Sequence, residues 1–244
     1  YSGFVNSETS LVLGGTLAYG GTSQGAVNAG SYAITPSGLT SSNYAITYAN
    51  GALTVNPATL TYTANSASRT YGAANPTLSG TVTGFVGSDT QANATTGTLA
   101  FTTAATTASN VGSYAINGSG LSANNGNYTL VQAAGNSAAL TVTQAPLTVT
   151  ANADSKTYNG VAYSGGNGVS YSGFVNSETA SALGGTLAYG GTSQGAVNAG
   201  GYAITPSGLT SSNYAITYAN GALTVNPATL TYTANSASRT YGAA

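Results

Sequence analysis

The sequence predicts an all-β protein: tandem small antiparallel sandwich or grasp-like modules, immunoglobulin-like in general architecture, strung end to end. Three observations carry this expectation. Residues 1–74 recur as residues 171–244 with 70 of the 74 positions identical, a period of 170 residues broken only at Ser10/Ala180, Leu11/Ser181, Val12/Ala182 and Ser31/Gly201. Apolar side chains alternate with Thr, Ala or Asn at Leu60/Tyr62, Leu147/Val149 and Leu223/Val225, the two-residue period of a strand with one buried face. Gly (34 residues) and abundant Asn, Ser and Thr place turn signals about every 8–12 residues, the rhythm of a sandwich.

The long period divides again. Residues 58–145 and 146–227 open alike, with Leu-Thr-Tyr-Thr-Ala-Asn at 60–65 and Leu-Thr-Val-Thr-Ala-Asn at 147–152. Gly84-Phe85-Val86-Gly87-Ser88-Asp89-Thr90 then matches Gly173-Phe174-Val175-Asn176-Ser177-Glu178-Thr179, and Asn127-Tyr128-Thr129-Leu130 matches Asn213-Tyr214-Ala215-Ile216. Two module types, 88 and 82 residues long, therefore alternate. The alternative architecture is a β-solenoid, but solenoid coils repeat every ~20–30 residues, whereas these periods are the size of whole domains. On this reading the chain is a window from a periodic polypeptide whose N-terminus lies elsewhere.

Each element has a local reason. Leu60–Asn65, Leu147–Asn152 and Leu223–Val225 are strands by alternation. Asn50-Gly51 and Asn220-Gly221 separate Tyr-Ala-Ile-Thr-Tyr from Ala-Leu-Thr-Val, and Asn-Gly between alternating runs is a strong hairpin signal because both turn positions take positive φ. The sequence thus pairs 213–219 with 222–226. Residues 177–183 read either as a short helix, with Ser177 as cap and Glu178 favoured near the N-terminus, or as an ordinary loop. Tyr62, Tyr71, Tyr114, Tyr128 and Tyr158 sit beside the strand motifs and read as core or core-edge residues whose hydroxyls reach a partner.

Composition excludes whole classes of function. With 3 Lys+Arg and 4 Asp+Glu in 244 residues, and a net charge of -1, no basic patch forms to bind nucleic acid or anionic lipid. No apolar run is long enough to span a membrane as a helix. Cys and His are both absent, which removes disulfides, thiolate metal sites and the side chain that titrates near neutrality. Calcium sites want about 6–8 oxygens, and one module offers only Asp154 and Glu178. Serine and threonine hydroxyls lack a neighbouring base. No catalytic residue, cofactor or metal is expected.

Lys156-Thr157-Tyr158-Asn159-Gly160 resembles the Lys-x-Tyr-Asp-Gly mark of the YDG repeats of bacterial surface proteins. Arg69-Thr70-Tyr71-Gly72-Ala73-Ala74-Asn75-Pro76 is similar to the Tyr-Gly-x type of the related MBG domain. Asn159 replaces the usual Asp and supports the same turn. The resemblance divides the chain into 1–57, the C-terminal part of a YDG-type module; 58–145, a complete MBG-type module; 146–227, a complete YDG-type module; and 228–244, the start of another MBG-type module. It implies an exported, surface-associated, repetitive segment of filamentous-haemagglutinin-like adhesins, and supplies no catalytic or binding residue.

Copying a module serves reach and spacing, so the expected role is a non-catalytic stalk of an extracellular adhesin or fibre. Its partners would be neighbouring repeats of the same chain. The alternatives are repeats that bind host or matrix glycans or proteins by avidity, or like chains associating into a fibre. Each complete module sets a cation before its Thr-Tyr and an acid inside its Gly-Phe-Val motif. Arg69 with Asp89 and Lys156 with Glu178 are candidate ion pairs fixing register; the bland alternative is four independent exposed charges. Asn93, Asn117 and Asn127 head Asn-x-Ser/Thr triplets, which arise freely in such a chain but are also glycosylation acceptors.

Overall fold

A computed structural model describes all residues, 1–244. It is built almost entirely of strands. The first module contains β1 (Gly14–Gly20), β2 (Gly30–Thr40) and β3 (Gly51–Val55). The second contains β4 (Ala58–Ala64), β5 (Ala67–Thr70), β6 (Gly80–Thr83), β7 (Thr95–Thr102), β8 (Gly112–Tyr114), β9 (Asn117–Ala123), β10 (Tyr128–Gln132) and β11 (Leu140–Thr143). The third contains β12 (Ala145–Ala151), β13 (Asp154–Thr157), β14 (Val169–Ser172), β15 (Gly184–Gly190), β16 (Gly200–Thr210), β17 (Tyr214–Ala219) and β18 (Gly221–Asn226).

The third module shows the plan. One sheet has the order β14-β12-β17 and the other β13-β18-β16-β15. The opening strand β12 pairs in parallel with β17, Ala145 facing Tyr214 through Thr150 facing Ala219. β13 runs parallel to β18, so the module's first strands close against its last. Between the sheets, Ala151, Ile204, Leu223 and Val225 form a core with Tyr163, Tyr189 and Tyr202 at its edge. The second module repeats the scheme as β10-β4-β6, β5-β11-β8 and β7-β9. There the counterpart of β16 is cut into β8 and β9. The sheets are small and separate, and no solenoid forms.

The chain divides into two compact units, and their boundary runs through the second module. One comprises Tyr1–Ala67, Thr77–Ala104 and Ser113–Leu140; the other comprises Ser68–Pro76, Ala105–Gly112 and Thr141–Ala244. Within the first, Leu60, Ala94 and Tyr128 form a core flanked by Val82, Phe85 and Leu130.

Three local expectations are corrected. The hairpin of 213–219 with 222–226 does not form: β17 pairs with β12 and β18 with β16, in different sheets. Asn220-Gly221 is a crossing between sheets, and neither residue has positive φ. Glycine is needed there for close approach instead, since a Cβ on Gly221 would lie 2.5 Å from the Ala151 carbonyl oxygen. The sheets are also not purely antiparallel, because each complete module closes through parallel pairs. Finally, 177–183 holds only a one-turn 3-10 helix at Ala180–Ala182, with Thr179 rather than Ser177 at its N-cap. Asn176 and Ser177, at φ 52 and 59, turn the chain before it.

Repetition supplies an internal control on what makes a strand. Residues 228–244 have the sequence of 58–74, yet Ala58–Ala64 is strand while 228–234 is not. Leu60 is 0% exposed and its copy Leu230 is 93% exposed. β4 is held by β10 and β6, and no strand pairs with 228–234. Tertiary pairing, not local propensity, makes this strand. The same contrast separates β17 from its unpaired copy at 44–49.

Candidate functional site

The few charged side chains are placed by the Gly-Phe-Val turn. In each copy the acid's own N–H closes the turn onto the valine carbonyl: Glu8 to Val5 at 3.0 Å, Asp89 to Val86 at 3.1 Å, Glu178 to Val175 at 3.0 Å. A tyrosine from the Asn-Tyr motif then reaches the acid. Tyr128 Oη donates to Asp89 Oδ2 at 2.6 Å, Tyr214 Oη to Glu178 Oε2 at 2.6 Å, and Tyr44 Oη to Glu8. The same hydroxyls accept the valine N–H at 3.2, 3.0 and 3.1 Å in Tyr44, Tyr128 and Tyr214. Beside each ring stands the turn's phenylalanine, edge-on: Phe4–Tyr44 at 5.4 Å, Phe85–Tyr128 at 6.0 Å and Phe174–Tyr214 at 5.4 Å. Such contacts add a little beyond area burial.

The fourth acid behaves alike, since Tyr163 Oη donates to Asp154 Oδ2 at 2.8 Å. All 4 acidic side chains of the chain therefore accept a phenol. Glu178 accepts two. Tyr71, 3% exposed, donates to its Oε1 at 2.6 Å and stands edge-on to Tyr214 with centroids 5.6 Å apart. Tyr71 belongs to the second module and Glu178 to the third, so this centre is a module joint.

The electrostatics follow. Donation to a carboxylate stabilises the protonated phenol, which raises Tyr44, Tyr71 and Tyr128 above their ordinary value through Glu8, Glu178 and Asp89. Burial first, and then Glu178, pushes Tyr214 up to about 12. Burial and then Asp154 push Tyr163 up to about 12 as well. A phenol raised in this way keeps its proton to higher pH and so stays a donor to the carboxylate. These centres fasten the Gly-Phe-Val turn to a strand.

Neither candidate ion pair is brought together. Arg69, 7% exposed, donates to Asn75 Oδ1 at 2.7 Å, to the Thr70 carbonyl at 3.2 Å and to the Thr106 carbonyl. Lys156 Nζ donates to the Val161 carbonyl. Asp89 and Glu178 are occupied by phenols. Sequence reasoning counted charges against charges and missed tyrosine as the partner, although acid and tyrosine recur at separations of 36, 39 and 36 residues. Of the tyrosines read as core, Tyr62, Tyr71 and Tyr128 are buried, Tyr114 is half-buried and Tyr158 is exposed.

The glycosylation candidates sit differently. Asn93 is exposed, and its Oδ1 accepts the Thr90 N–H at 2.6 Å to begin a one-turn helix. Asn117 is exposed at the start of β9. Asn127 is half-buried with its amide engaged. A cleft of about 710 Å³ in the first module is lined by Phe4, Leu17, Tyr19, Tyr44, Ile46 and Tyr48. It lies along 44–49, the copy of β17, where β12 seats Leu147 and Val149 in the third module. The cleft thus occupies the place that β12 fills in the third module.

The family described as MBG domain (YGX type) matches three times, over residues 1–54, 60–138 and 147–224. No curated protein and no solved structure matches the chain. The three matches agree with the MBG/YDG-type tandem repeats suspected from the sequence, and the match over 147–224 contains the YDG-like Lys156-Thr157-Tyr158-Asn159-Gly160. With most of its length matched, the chain belongs to the MBG domain family, YGX type.

Proposed function

We propose that this chain is a non-catalytic stalk in a secreted bacterial surface adhesin or extracellular fibre. Membership of the MBG family suggests a repeat region of a surface protein. The observation that carries the finer reading is the use of charge: all four acids are spent on tyrosine hydroxyls, one across a module joint. Groups that would convert or recognise a charged substrate are committed to holding modules shut. Binding assays of the 244-residue chain against panels of glycans and matrix proteins test it. The stalk reading expects no saturable binding at micromolar concentration, and a specific micromolar complex overturns it in favour of adhesive repeats acting by avidity.

A second reading has one observation behind it. A surface carrying so few charges lacks the usual protection against association, which favours like chains bundling laterally. Sedimentation of the chain over a range of concentrations separates a monomeric stalk from such a bundle.

A further inference from the structure

The asparagine ahead of the tyrosine motif reaches out of its own module. Asn127 Oδ1 accepts the Ala29 N–H at 2.7 Å, and its Nδ2 donates to Asn28 Oδ1 at 2.8 Å. Asn213 does the same one module later: its Oδ1 accepts the Val111 N–H at 3.0 Å, and its Nδ2 donates to Asn110 Oδ1 at 2.9 Å. Asn28-Ala29-Gly30 and Asn110-Val111-Gly112 are different sequences at one place, just ahead of β2 and at the start of β8. Each pair lies inside one compact unit, Asn28 with Asn127 in the first and Asn110 with Asn213 in the second. The two bonds fix the amide's orientation, because a flipped amide would set a donor against the N–H and an acceptor against the carbonyl.

The main chain of the same residues faces the other way. The Asn127 carbonyl accepts the Ala58 N–H at 2.9 Å, and the Asn213 carbonyl accepts the Ala145 N–H at 3.0 Å. One residue thereby ties the opening strand of its own module to a loop of the module before. We propose that the Asn-x-Gly loop is the module's docking surface, and that its partner is the asparagine preceding the tyrosine of the next module. The two bonds form a clamp that recurs at each joint and sets the register of one module on another.

Two consequences follow from the 170-residue repeat. Asn198-Ala199-Gly200 repeats Asn28-Ala29-Gly30, so the third module offers the same loop to a following module of the 58–145 type. Asn43 likewise repeats Asn213, the other half of the clamp. The clamp also competes with modification, because Asn127 Nδ2 is the atom a glycan would take. The inference is independent of whether the array is a spacer or an adhesive.

Amide exchange on the full chain tests it. In wild type the Ala29 and Val111 N–H groups are expected to be protected; Asn127→Ala is expected to speed exchange at Ala29 at least tenfold and leave Val111 unchanged, and Asn213→Ala to do the reverse. Asn28→Ala, a loop substitution outside the core, keeps the test open if Asn127→Ala fails to fold. It is expected to release the Asn127 side-chain NH2 while the circular dichroism of the sheets is retained. Wild-type exchange at Ala29 and Val111 as fast as in an open loop overturns the clamp. So does an Asn127 NH2 signal that Asn28→Ala leaves unmoved.

Discussion

Tyr71 and Tyr214 both donate to Glu178, each at 2.6 Å, so one carboxylate joins the opening segment of one module to the turn and to β17 of the next. Hydrogen bonds to charged groups contribute roughly 1.5–3 kcal/mol. Tyr71→Phe is expected to cost about 2 kcal/mol, and to be non-additive with Glu178→Gln. Urea unfolding of wild type, both single variants and the double variant measures the coupling. Simple additivity would remove Glu178 from the joint.

Alkaline pH should loosen the same centres. Tyr214 and Tyr163 are raised from the ordinary 10.0 to about 12. Above pH 10 the unfolded chain has released these phenolic protons while the folded chain keeps them, so the unfolded state binds fewer protons and stability falls as pH rises. Their contribution is complete below pH 10 and is lost as pH climbs to about 12. Phenolate absorbance titrated alongside urea unfolding should show part of the tyrosine ionising late and together with unfolding. Ionisation of every tyrosine near 10 with the fold retained would contradict this.

Gly72 follows the joint tyrosine directly. Its φ is +81, and a Cβ there would collide with the Val175 side chain of the following module. Gly87, at φ +64, has nothing within 4 Å. Gly87→Ala is expected to cost about 1 kcal/mol from backbone strain alone. Gly72→Ala adds an overpacking cost of roughly 1–3 kcal/mol. Thermal melts of the two variants compare them, and equal losses would show that Val175 does not press on this position.

The unpaired copy at 228–244 should fold when given its partners. Appending a second copy of residues 75–145 after Ala244 supplies the counterparts of β6, β10 and β11. Leu230 and Tyr232 are then expected to become buried like Leu60 and Tyr62, and the Ala199 N–H to become protected like Ala29. Hydrogen exchange measured by mass spectrometry reads both. Continued rapid exchange across 228–244 would mean that the repeat does not propagate its own fold.

What the sequence disclosed and what it hid have separate physical causes. The repeat, the module lengths and the strands at β4, β12 and β18 were legible, because alternation of Leu, Val and Tyr with Thr records one buried face. Asn220-Gly221 misled because its hairpin preference is local, while β17 is claimed by β12, some 69 residues away. Arg69 and Lys156 misled because opposite charges were matched to each other in a chain where phenols and carbonyls are far more abundant partners. The acid–tyrosine pairing could have been read from the two motifs recurring together. Asn127 and Asn213 were aligned by sequence, but nothing local marks a side chain that bonds outside its module.

The most direct test of modules laid in series is the length of the molecule. Chains of one, two and three 170-residue periods should show, by small-angle X-ray scattering, a maximum dimension that rises by an equal step with each added period. A compact body would instead grow only as about the 0.38 power of residue number, and that result would contradict the account.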